Sequence, residues 1–258
     1  MTVQITINGI QTDFVMQGNG EPVLILPGWS ATAPAYQTIT KTLSEKYCVY
    51  VLNLPGFGVT PEPSEPWCVD DYVDFTLAFV QQLGLTSLTL LGHSFGGRII
   101  IKMLSRRELP FSVEQVVLID SAGIKPTPSP ERQKKTAQYN RLKKLYGGKF
   151  FTKLCPSAME KLRKKYGSAD YAAASPMMRQ CLIKTVSEDL TDLIQNVTPG
   201  ALLIWGRDDT ATPVSDAEKM KEKIPDSVLH IIDQAGHFPF IDQPFAFRKI
   251  LADFFGIE

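Results

Sequence analysis

A single serine lies between two glycines in the stretch LTLLGHSFGGRII, residues 88–100. The pattern Gly92, Ser94, Gly96 follows a predicted strand and precedes a predicted helix, a sharp turn that lifts the serine Oγ above the strand ends. A side chain at either glycine would collide with the turn. The first N–H groups of a helix lack internal acceptors and carry partial positive charge, so the Phe95 N–H is predicted to face a developing oxyanion. The pattern indicates a nucleophile; the alternative is a glycine-rich packing turn around an incidental serine.

A serine nucleophile needs a general base, and the chain contains three histidines. His93 adjoins Ser94, so its side chain is expected to point elsewhere. His230 lies within the apolar run VLHII and is interpreted as a core histidine. His237 lies in DQAGHFPF, a loop directly after that run, and loops on a rigid scaffold often carry functional residues. Elimination leaves His237 as the predicted base.

The imidazole needs a carboxylate to hold its orientation and to stabilise its protonated form. Asp208 and Asp209 follow the apolar run ALLIW. Asp209 is the favoured acid because it lies three residues after Gly206 and four residues before Pro213. Asp120, after VVLI, is a weaker candidate that is interpreted as capping a turn at DSAG.

Apolar runs alternate with helical patterns along most of the chain. The hairpin sequence QITINGIQTDFVMQ comes first, with a turn at Asn8-Gly9. The later runs, which suit strands covered on both faces of a parallel sheet, are VLIL, YCVYVL, SLTLL, EQVVLI, ALLIW and SVLHII. Helices are predicted at roughly 34–45, 70–83, 95–105, 216–223 and 244–255. The alternation predicts an α/β fold with helices on both faces of the sheet, and ligands beyond the carboxyl ends of the strands.

The alternation stops between residues 124 and 190, where only helical patterns occur. We therefore predict a core of residues 1–123 and 191–258 and a helical lid of residues 124–190. Residues 125–190 contain 15 Lys or Arg against 5 Asp or Glu, although the whole chain has 27 of each. This positive charge is interpreted as a solvated face. The alternative is that it attracts an anionic substrate or an acidic carrier protein.

Composition excludes several classes of protein. Balanced charge gives no indication of nucleic-acid binding. The chain has no run of about 18 apolar residues and no leader pattern at its start, so no membrane association and a cytoplasmic location are expected. The four cysteines have no metal-ligand spacing, so neither a metal site nor a disulfide framework is predicted.

These residues together resemble the α/β-hydrolase family, and the resemblance covers nearly the whole chain. Ser94, Asp209 and His237 follow the family's chain order of nucleophile, acid and base. LPGWSA, residues 26–31, is similar to the family's oxyanion loop, and NLPGFGVT, residues 53–60, to a second family segment. The resemblance implies an eight-stranded, mostly parallel sheet with a helical cap, and a second oxyanion donor, the Trp29 N–H.

Two residues depart from the family pattern. Pro27 replaces the usual His of the oxyanion loop, and Asn53 replaces the usual Asp of the second segment. Donation from backbone N–H groups needs neither side chain, but the support of the loop can differ.

The resemblance implies an enzyme that needs no metal or organic cofactor. Ser94 in place of aspartate argues against the epoxide hydrolases and haloalkane dehalogenases of this fold. The expected reaction is hydrolysis of small to medium acyl esters by a carboxylesterase mechanism, with a small-molecule ester as the partner. The alternatives are a β-diketone C–C bond hydrolase, an acyltransferase, a perhydrolase, or a ligand-binding protein without catalysis.

Overall fold

The β-branched and aliphatic runs of the sequence form one sheet. The structure is a computed structural model that describes residues 2–125, 130–146, 161 and 165–258. The strands are β1 (Thr2–Ile7), β2 (Ile10–Gln17), β3 (Pro22–Leu26), β4 (Cys48–Leu52), β5 (Ser87–His93), β6 (Ser112–Ile119), β7 (Ala201–Gly206) and β8 (Val228–Ile232).

The strand order is β1-β2-β4-β3-β5-β6-β7-β8. β1 and β2 form an antiparallel hairpin, whose turn places Asn8 and Gly9 at positive φ, and β2 pairs antiparallel with β4. All other pairs are parallel. β3, β5, β6, β7 and β8 therefore end at the same edge of the sheet, where the loops that follow them meet.

Helices cover both faces of the sheet. Those described are α1 (Gln37–Leu43), α2 (Val69–Gln82), α3 (Phe95–Leu104), α4 (Pro130–Tyr146), α5 (Ala169–Ala173), α6 (Pro176–Ser187), α7 (Val214–Lys223), α8 (Pro239–Asp242) and α9 (Pro244–Phe255). Short 3-10 turns lie at Ala33–Tyr36 and Ile194–Asn196.

The core has two layers because consecutive strand residues point to opposite faces of the sheet. Leu24 of β3 belongs to the cluster that also contains residues of α2, α3, α6 and α7. Its neighbour Ile25 belongs to the cluster that contains residues of α1, α8 and α9. The central strands are buried on both sides and hold the loops at their carboxyl ends in fixed positions.

The predicted hairpin, the six later strands and the mostly parallel α/β architecture are confirmed. The interpretation of His230 as a core histidine is wrong, because its side chain is exposed. Burial alternates along β8, the last strand of the sheet, so that Val228, which is 51% exposed, and His230 lie on a face that meets solvent. A short apolar run does not distinguish an edge strand from a central one.

The described part of residues 124–190 is helical and contains no strand. The segment leaves and rejoins the core at one place, where the Leu190 N–H donates to the Gly123 carbonyl at 2.9 Å. Met178 and Cys181 of α6 are buried in the larger core cluster. Residues 126–129, 147–160 and 162–164 of the predicted lid lie outside the described residues.

Two remaining sequence predictions concern cysteines and membranes. Cys48, Cys68 and Cys181 are unpaired, and Cys155 lies outside the described residues. Within the described ranges, no helix combines the length and the apolar character needed to cross a bilayer.

Candidate active site

Ser94 occupies the turn between β5 and α3 with φ 51° and ψ −111°, a conformation that L residues rarely adopt. The turn is held by backbone hydrogen bonds. The Ser94 N–H donates to the Ile119 carbonyl, and the Ser94 carbonyl accepts from the N–H groups of Gly97 and Ala122. Packing and hydrogen bonds on both sides therefore maintain the strained backbone, and the serine side chain is left partly exposed above the sheet.

The two flanking glycines are required by close backbone contacts. A Cβ at Gly92 would lie 2.6 Å from the Gly97 nitrogen, and one at Gly96 would lie 1.8 Å from the Leu26 carbonyl oxygen. Neither distance is sterically possible, and backbone atoms in these elements have little freedom to move. The turn thus needs glycine at both positions because α3 lies directly against β3 and β5.

The structure brings together the three side chains named from the sequence. His237 Nε2 lies 2.8 Å from Ser94 Oγ, and His237 Nδ1 lies 2.7 Å from Asp209 Oδ2. The carboxylate of Asp209 is fully buried, whereas the imidazole is 23% exposed. A buried carboxylate, a partly exposed imidazole and a hydroxyl are therefore aligned by two hydrogen bonds of ordinary length.

Four donors converge on Asp209. Its Oδ1 accepts from the N–H groups of Ala211 and Thr212, and its Oδ2 accepts from His237 and from the Thr212 hydroxyl at 2.6 Å. Burial alone would raise the pKa of Asp209, but the hydrogen bonds from His237 and Thr212 outweigh it and lower the pKa to about 2. Asp209 is therefore ionised at neutral pH.

The two backbone N–H groups that the sequence analysis named as oxyanion donors have no backbone acceptor among the described residues. Phe95 is the first residue of α3, and neither its N–H nor that of Trp29 donates a backbone hydrogen bond to another described residue. The Trp29 ring packs against that of Phe95, with centroids 5.3 Å apart. A Cβ built on Gly28, next to Trp29, would lie 3.2 Å from Ser94 Cβ, which shows how closely this loop approaches Ser94.

A buried hydrogen-bond chain connects the two loops around Ser94. The Gly28 N–H donates to the Tyr36 hydroxyl at 2.7 Å, and that hydroxyl lies 2.9 Å from His93 Nδ1. His93 Nε2 lies 2.7 Å from the His237 carbonyl, which only accepts, so Nε2 carries the proton and Nδ1 accepts from Tyr36. Burial, together with the nearby His237, lowers the pKa of His93 to about 3, so the ring is neutral.

His93 thus points away from Ser94, as expected, and it has a role that the sequence did not reveal. The position of His93 next to Ser94 indicated its direction, but nothing in the spacing indicated Tyr36 or the His237 carbonyl as partners. Thr212 was also missed. Its position three residues after Asp209 in a turn sequence is a local signal for a hydroxyl or N–H donor to the carboxylate.

The two other carboxylates weighed from the sequence occupy different environments. Asp208 is exposed and is not part of the triad geometry. Asp120 is fully buried, has φ 39°, and its Oδ1 accepts from the Gly206 N–H at 3.0 Å. It therefore joins the end of β6 to the end of β7, and the interpretation that it caps the DSAG turn is wrong.

Asp120, Asp209 and His237 offer potential metal-ligand atoms within 4.8 Å of one another. However, His237 Nδ1 and Asp209 Oδ2 are 2.7 Å apart, a distance that suits an N–H···O bond. Two ligand atoms each about 2.0–2.2 Å from one zinc ion, in tetrahedral geometry, would be farther apart. The arrangement fits a hydrogen-bonded acid and base better than a metal centre.

Asn53 supports the oxyanion loop in place of the aspartate common in the family pattern. Its Oδ1 accepts from the Ala33 N–H at 3.0 Å, and its carbonyl accepts from the Thr60 hydroxyl. An amide oxygen accepts this hydrogen bond as a carboxylate would, so Asn53 still anchors the backbone at Ala33, two residues after the loop of residues 26–31.

A cavity of about 350 Å³ lies beside the oxyanion loop. Its apolar wall includes Trp29, Phe57 and Met178, and its polar groups include Glu62 and Asp170. Partial desolvation raises the pKa of Asp170, although the nearby His237 and the Ser30 hydroxyl act in the opposite direction. Among the described lining residues there is no lysine or arginine, so the cavity is acidic.

Comparisons with known proteins agree with this architecture. The sequence model of the family described as "Alpha/beta hydrolase family" matches residues 23–250. The chain is 25% identical to the 2-hydroxy-6-oxo-2,4-heptadienoate hydrolase of Pseudomonas putida, over 98% of this chain and 96% of that protein. It is also 25% identical to the pimeloyl-[acyl-carrier protein] methyl ester esterase of Chromobacterium violaceum, over 92% of this chain and 94% of that protein.

Among solved structures, the fold resembles a thermophilic esterase from Thermogutta terrifontis. The TM-score is 0.74 and the identity 21%, with 99% of this chain and 98% of the other chain covered.

The hydrogen-bond chain through Tyr36 generates a stability prediction. Tyr36→Phe leaves the Gly28 N–H and His93 Nδ1 without partners in a buried site, so the free energy of unfolding is expected to fall by about 1–3 kcal/mol. Urea denaturation monitored by circular dichroism measures it. The matched control is Tyr47→Phe, because the Tyr47 hydroxyl is partly exposed and lies 3.4 Å from its acceptor, the Phe255 carbonyl. Equal losses of unfolding free energy in the two variants would show that the hydrogen bonds through Tyr36 do not stabilise the fold in particular.

Proposed function

Because the chain belongs to the alpha/beta hydrolase family and is an enzyme of the hydrolase class, we propose that it cleaves carboxylic esters through Ser94, His237 and Asp209. The observation that carries the proposal is the pair of hydrogen bonds made by His237, 2.8 Å to the Ser94 hydroxyl and 2.7 Å to the Asp209 carboxylate. An imidazole held in this way can accept the serine proton and remain oriented when it becomes charged.

The proposed reaction has two acyl-transfer steps. Ser94 Oγ attacks the ester carbonyl while its proton passes to His237 Nε2, and Asp209 stabilises the imidazolium. The N–H groups of Phe95 and Trp29 stabilise the oxyanion, and one such donor contributes about 3 kcal/mol to transition-state stabilisation. His237 then protonates the leaving alcohol. Water attacks the acyl-enzyme in the second step, with His237 again as the base, and Ser94 is released.

The acidic cavity supports an uncharged substrate. Glu62 and Asp170 line the cavity beside the oxyanion loop, and a carboxylate placed there would meet like charge without a described basic partner. The volume of about 350 Å³ is at the lower end of small-molecule pockets and fits a small to medium acyl group. Residues 124–190 are proposed to form the lid over this cavity, since Asp170 and Met178 come from that segment.

C–C bond hydrolysis is the second candidate, and the likeness to the 2-hydroxy-6-oxo-2,4-heptadienoate hydrolase favours it. The substrate in that protein's name is a carboxylate, which the acidic cavity disfavours here. Ester hydrolysis is therefore the preferred proposal.

A carrier-bound ester is a third possibility, which the likeness to a pimeloyl-[acyl-carrier protein] methyl ester esterase favours. α4 exposes Lys134, Lys135, Arg141 and Lys144. These residues offer a basic surface to an acidic carrier, while the ester itself is neutral and suits the cavity. The lid would then bind the acidic carrier, and the cavity would hold the neutral ester attached to it.

The triad is tested with p-nitrophenyl butyrate and a fluorophosphonate probe. Ser94→Ala and His237→Ala are expected to lower kcat by about a million-fold, and Asp209→Asn by about ten-thousand-fold, because each removes a group used in both acyl-transfer steps. The probe should label the wild type and not Ser94→Ala. His230→Ala is the matched control, since that imidazole is exposed on β8. Wild-type rates in His237→Ala would exclude the mechanism, and failure of the folded wild type to react with the probe would exclude the serine nucleophile.

Substrate charge is tested with a panel of neutral p-nitrophenyl esters of graded chain length, an anionic hemisuccinate ester and a dienol diketone. The neutral esters are expected to have the highest kcat/KM. Replacing both Glu62 and Asp170 by their amides should raise kcat/KM for the anionic ester by about tenfold, because like-charge repulsion is removed. Glu65→Gln, an exposed residue outside the cavity lining, is the control. A diketone turned over faster than every ester would favour the C–C hydrolase instead.

The carrier hypothesis is tested with a methyl ester attached to an acyl carrier protein. Lys134→Glu combined with Lys135→Glu should lower kcat/KM for the carrier-linked ester, and raising ionic strength from about 0.05 to about 0.3 M should do the same because screening weakens the attraction. Lys249→Glu on α9 is the control, because it reverses a charge outside the lid and should leave kcat/KM for the carrier-linked ester unchanged. If the free ester and the carrier-linked ester respond equally, the basic surface does not recognise the carrier.

A further inference from the structure

A buried carboxyl oxygen beside the triad has no hydrogen-bond donor. Asp120 is fully buried, and its Oδ1 accepts the Gly206 N–H. Its Oδ2 is the buried side-chain polar atom that lacks a partner among the described residues. An unsatisfied oxygen of an ionised carboxylate at such a site would be strongly destabilising.

The neighbour of this carboxyl is a second carboxyl. Oxygens of Asp120 and Asp209 lie with a ring nitrogen of His237 inside 4.8 Å of one another. Two ionised carboxylates side by side in a buried site repel, whereas a proton on one of them allows a hydrogen bond to the other. A side-chain hydrogen bond to Asp209 is among the causes that raise the pKa of Asp120. The Asp209 carboxylate accepts four hydrogen bonds from N–H and O–H groups. The Asp120 carboxyl group accepts one, from the Gly206 N–H. The charge therefore stays on Asp209.

We propose that Asp120 is a neutral carboxylic acid that donates its Oδ2–H to the Asp209 carboxylate and so positions Asp209 toward His237. Asp120 acts through Asp209 and is a positioning residue, because it contacts neither the nucleophile nor the cavity. The proposal rests on the proposed function of the Ser94–His237–Asp209 site, although the protonation of Asp120 is a property of the folded chain in itself.

The surrounding charges agree with a neutral Asp120. Burial is the main cause that raises its pKa, the Gly206 N–H opposes it, and the negative charges of Asp209 and Asp242 raise it further, to about 9. Asp209 follows β7, Asp242 lies on α8, and His237 faces the pair from the loop after β8. Above this pKa, ionisation removes the donor and adds a second negative charge beside Asp209.

The sign of the linked stability follows from the raised pKa. Between the ordinary pKa of an aspartate and about 9, the folded protein holds a proton that the unfolded chain releases. The contribution of Asp120 is thus complete below pH 4 or so and is lost as the pH rises toward 9. Stability of the wild type should therefore fall with rising pH relative to a variant that cannot ionise at residue 120.

The test compares Asp120→Asn, whose amide donates a similar hydrogen bond without ionising, with Asp120→Leu, which has similar size and no donor. Asp120→Asn is expected to retain at least tenfold more kcat than Asp120→Leu. The wild type is expected to lose kcat above about pH 9, and Asp120→Asn should not. The thermal midpoint of Asp120→Asn minus that of the wild type should increase as the pH is raised from about 5 to about 8. Asp208→Asn, at an exposed carboxylate in the loop after β7, should follow the wild-type pH dependence.

Infrared spectroscopy tests protonation without any activity. In the inactive full-length Ser94→Ala protein at pH 7, the carbonyl stretch of a protonated carboxylic acid should be present, and it should disappear in Ser94→Ala/Asp120→Asn. Absence of that band, equal losses of kcat in Asp120→Asn and Asp120→Leu, or an unchanged alkaline loss in Asp120→Asn would each overturn the proposal. If the band is present but the wild type has no esterase activity, the proposed function is wrong while the protonated Asp120 is supported.

Discussion

The candidate site depends on the orientation of one imidazole, because His237 must present Nδ1 to Asp209 and Nε2 to Ser94 at the same time. Free imidazole rings rotate, and a loop residue after an edge strand has little of the core to hold it. In this fold the orientation is imposed from three sides. The buried Asp209 carboxylate fixes one nitrogen, the strained Ser94 turn presents the hydroxyl to the other, and the His93 ring holds the His237 backbone carbonyl.

The parallel sheet makes this convergence possible. β5, β7 and β8 end at the same edge, so residues more than a hundred positions apart meet there although no local sequence connects them. The sequence was sufficient to predict this edge, the fold and the three side chains that meet there, Ser94, Asp209 and His237. The signals were the apolar strand runs, the serine between two glycines and the turn residues. Their meeting followed from one rule of α/β architecture, that loops at the carboxyl ends of strands face one another.

What the sequence did not predict has a common physical cause. Tyr36, His93 and Asp120 act through contacts between elements, and each contact depends on which side chain faces which across a packed interface. Asp120 illustrates this, since its neighbour Asp209 is 89 positions away and only the pairing of β6 with β7 brings them together. The prediction for His230 failed for a related reason. The run VLHII resembles a buried strand, and only the folded sheet shows that alternate residues of the last strand, β8, are exposed.

The hydrogen bond from His93 to the His237 carbonyl links His237 directly to the end of β5, next to Ser94, although His237 itself lies in the loop after β8. β8 pairs with a neighbour on one side only, so its hydrogen bonds are open to transient fraying. Ser94 and His237 nevertheless share an anchor at the end of the central strand β5. Opening of the β8 hydrogen bonds therefore need not change the distance between His237 and Ser94, and amide exchange can be rapid along β8 while the geometry around Ser94 persists.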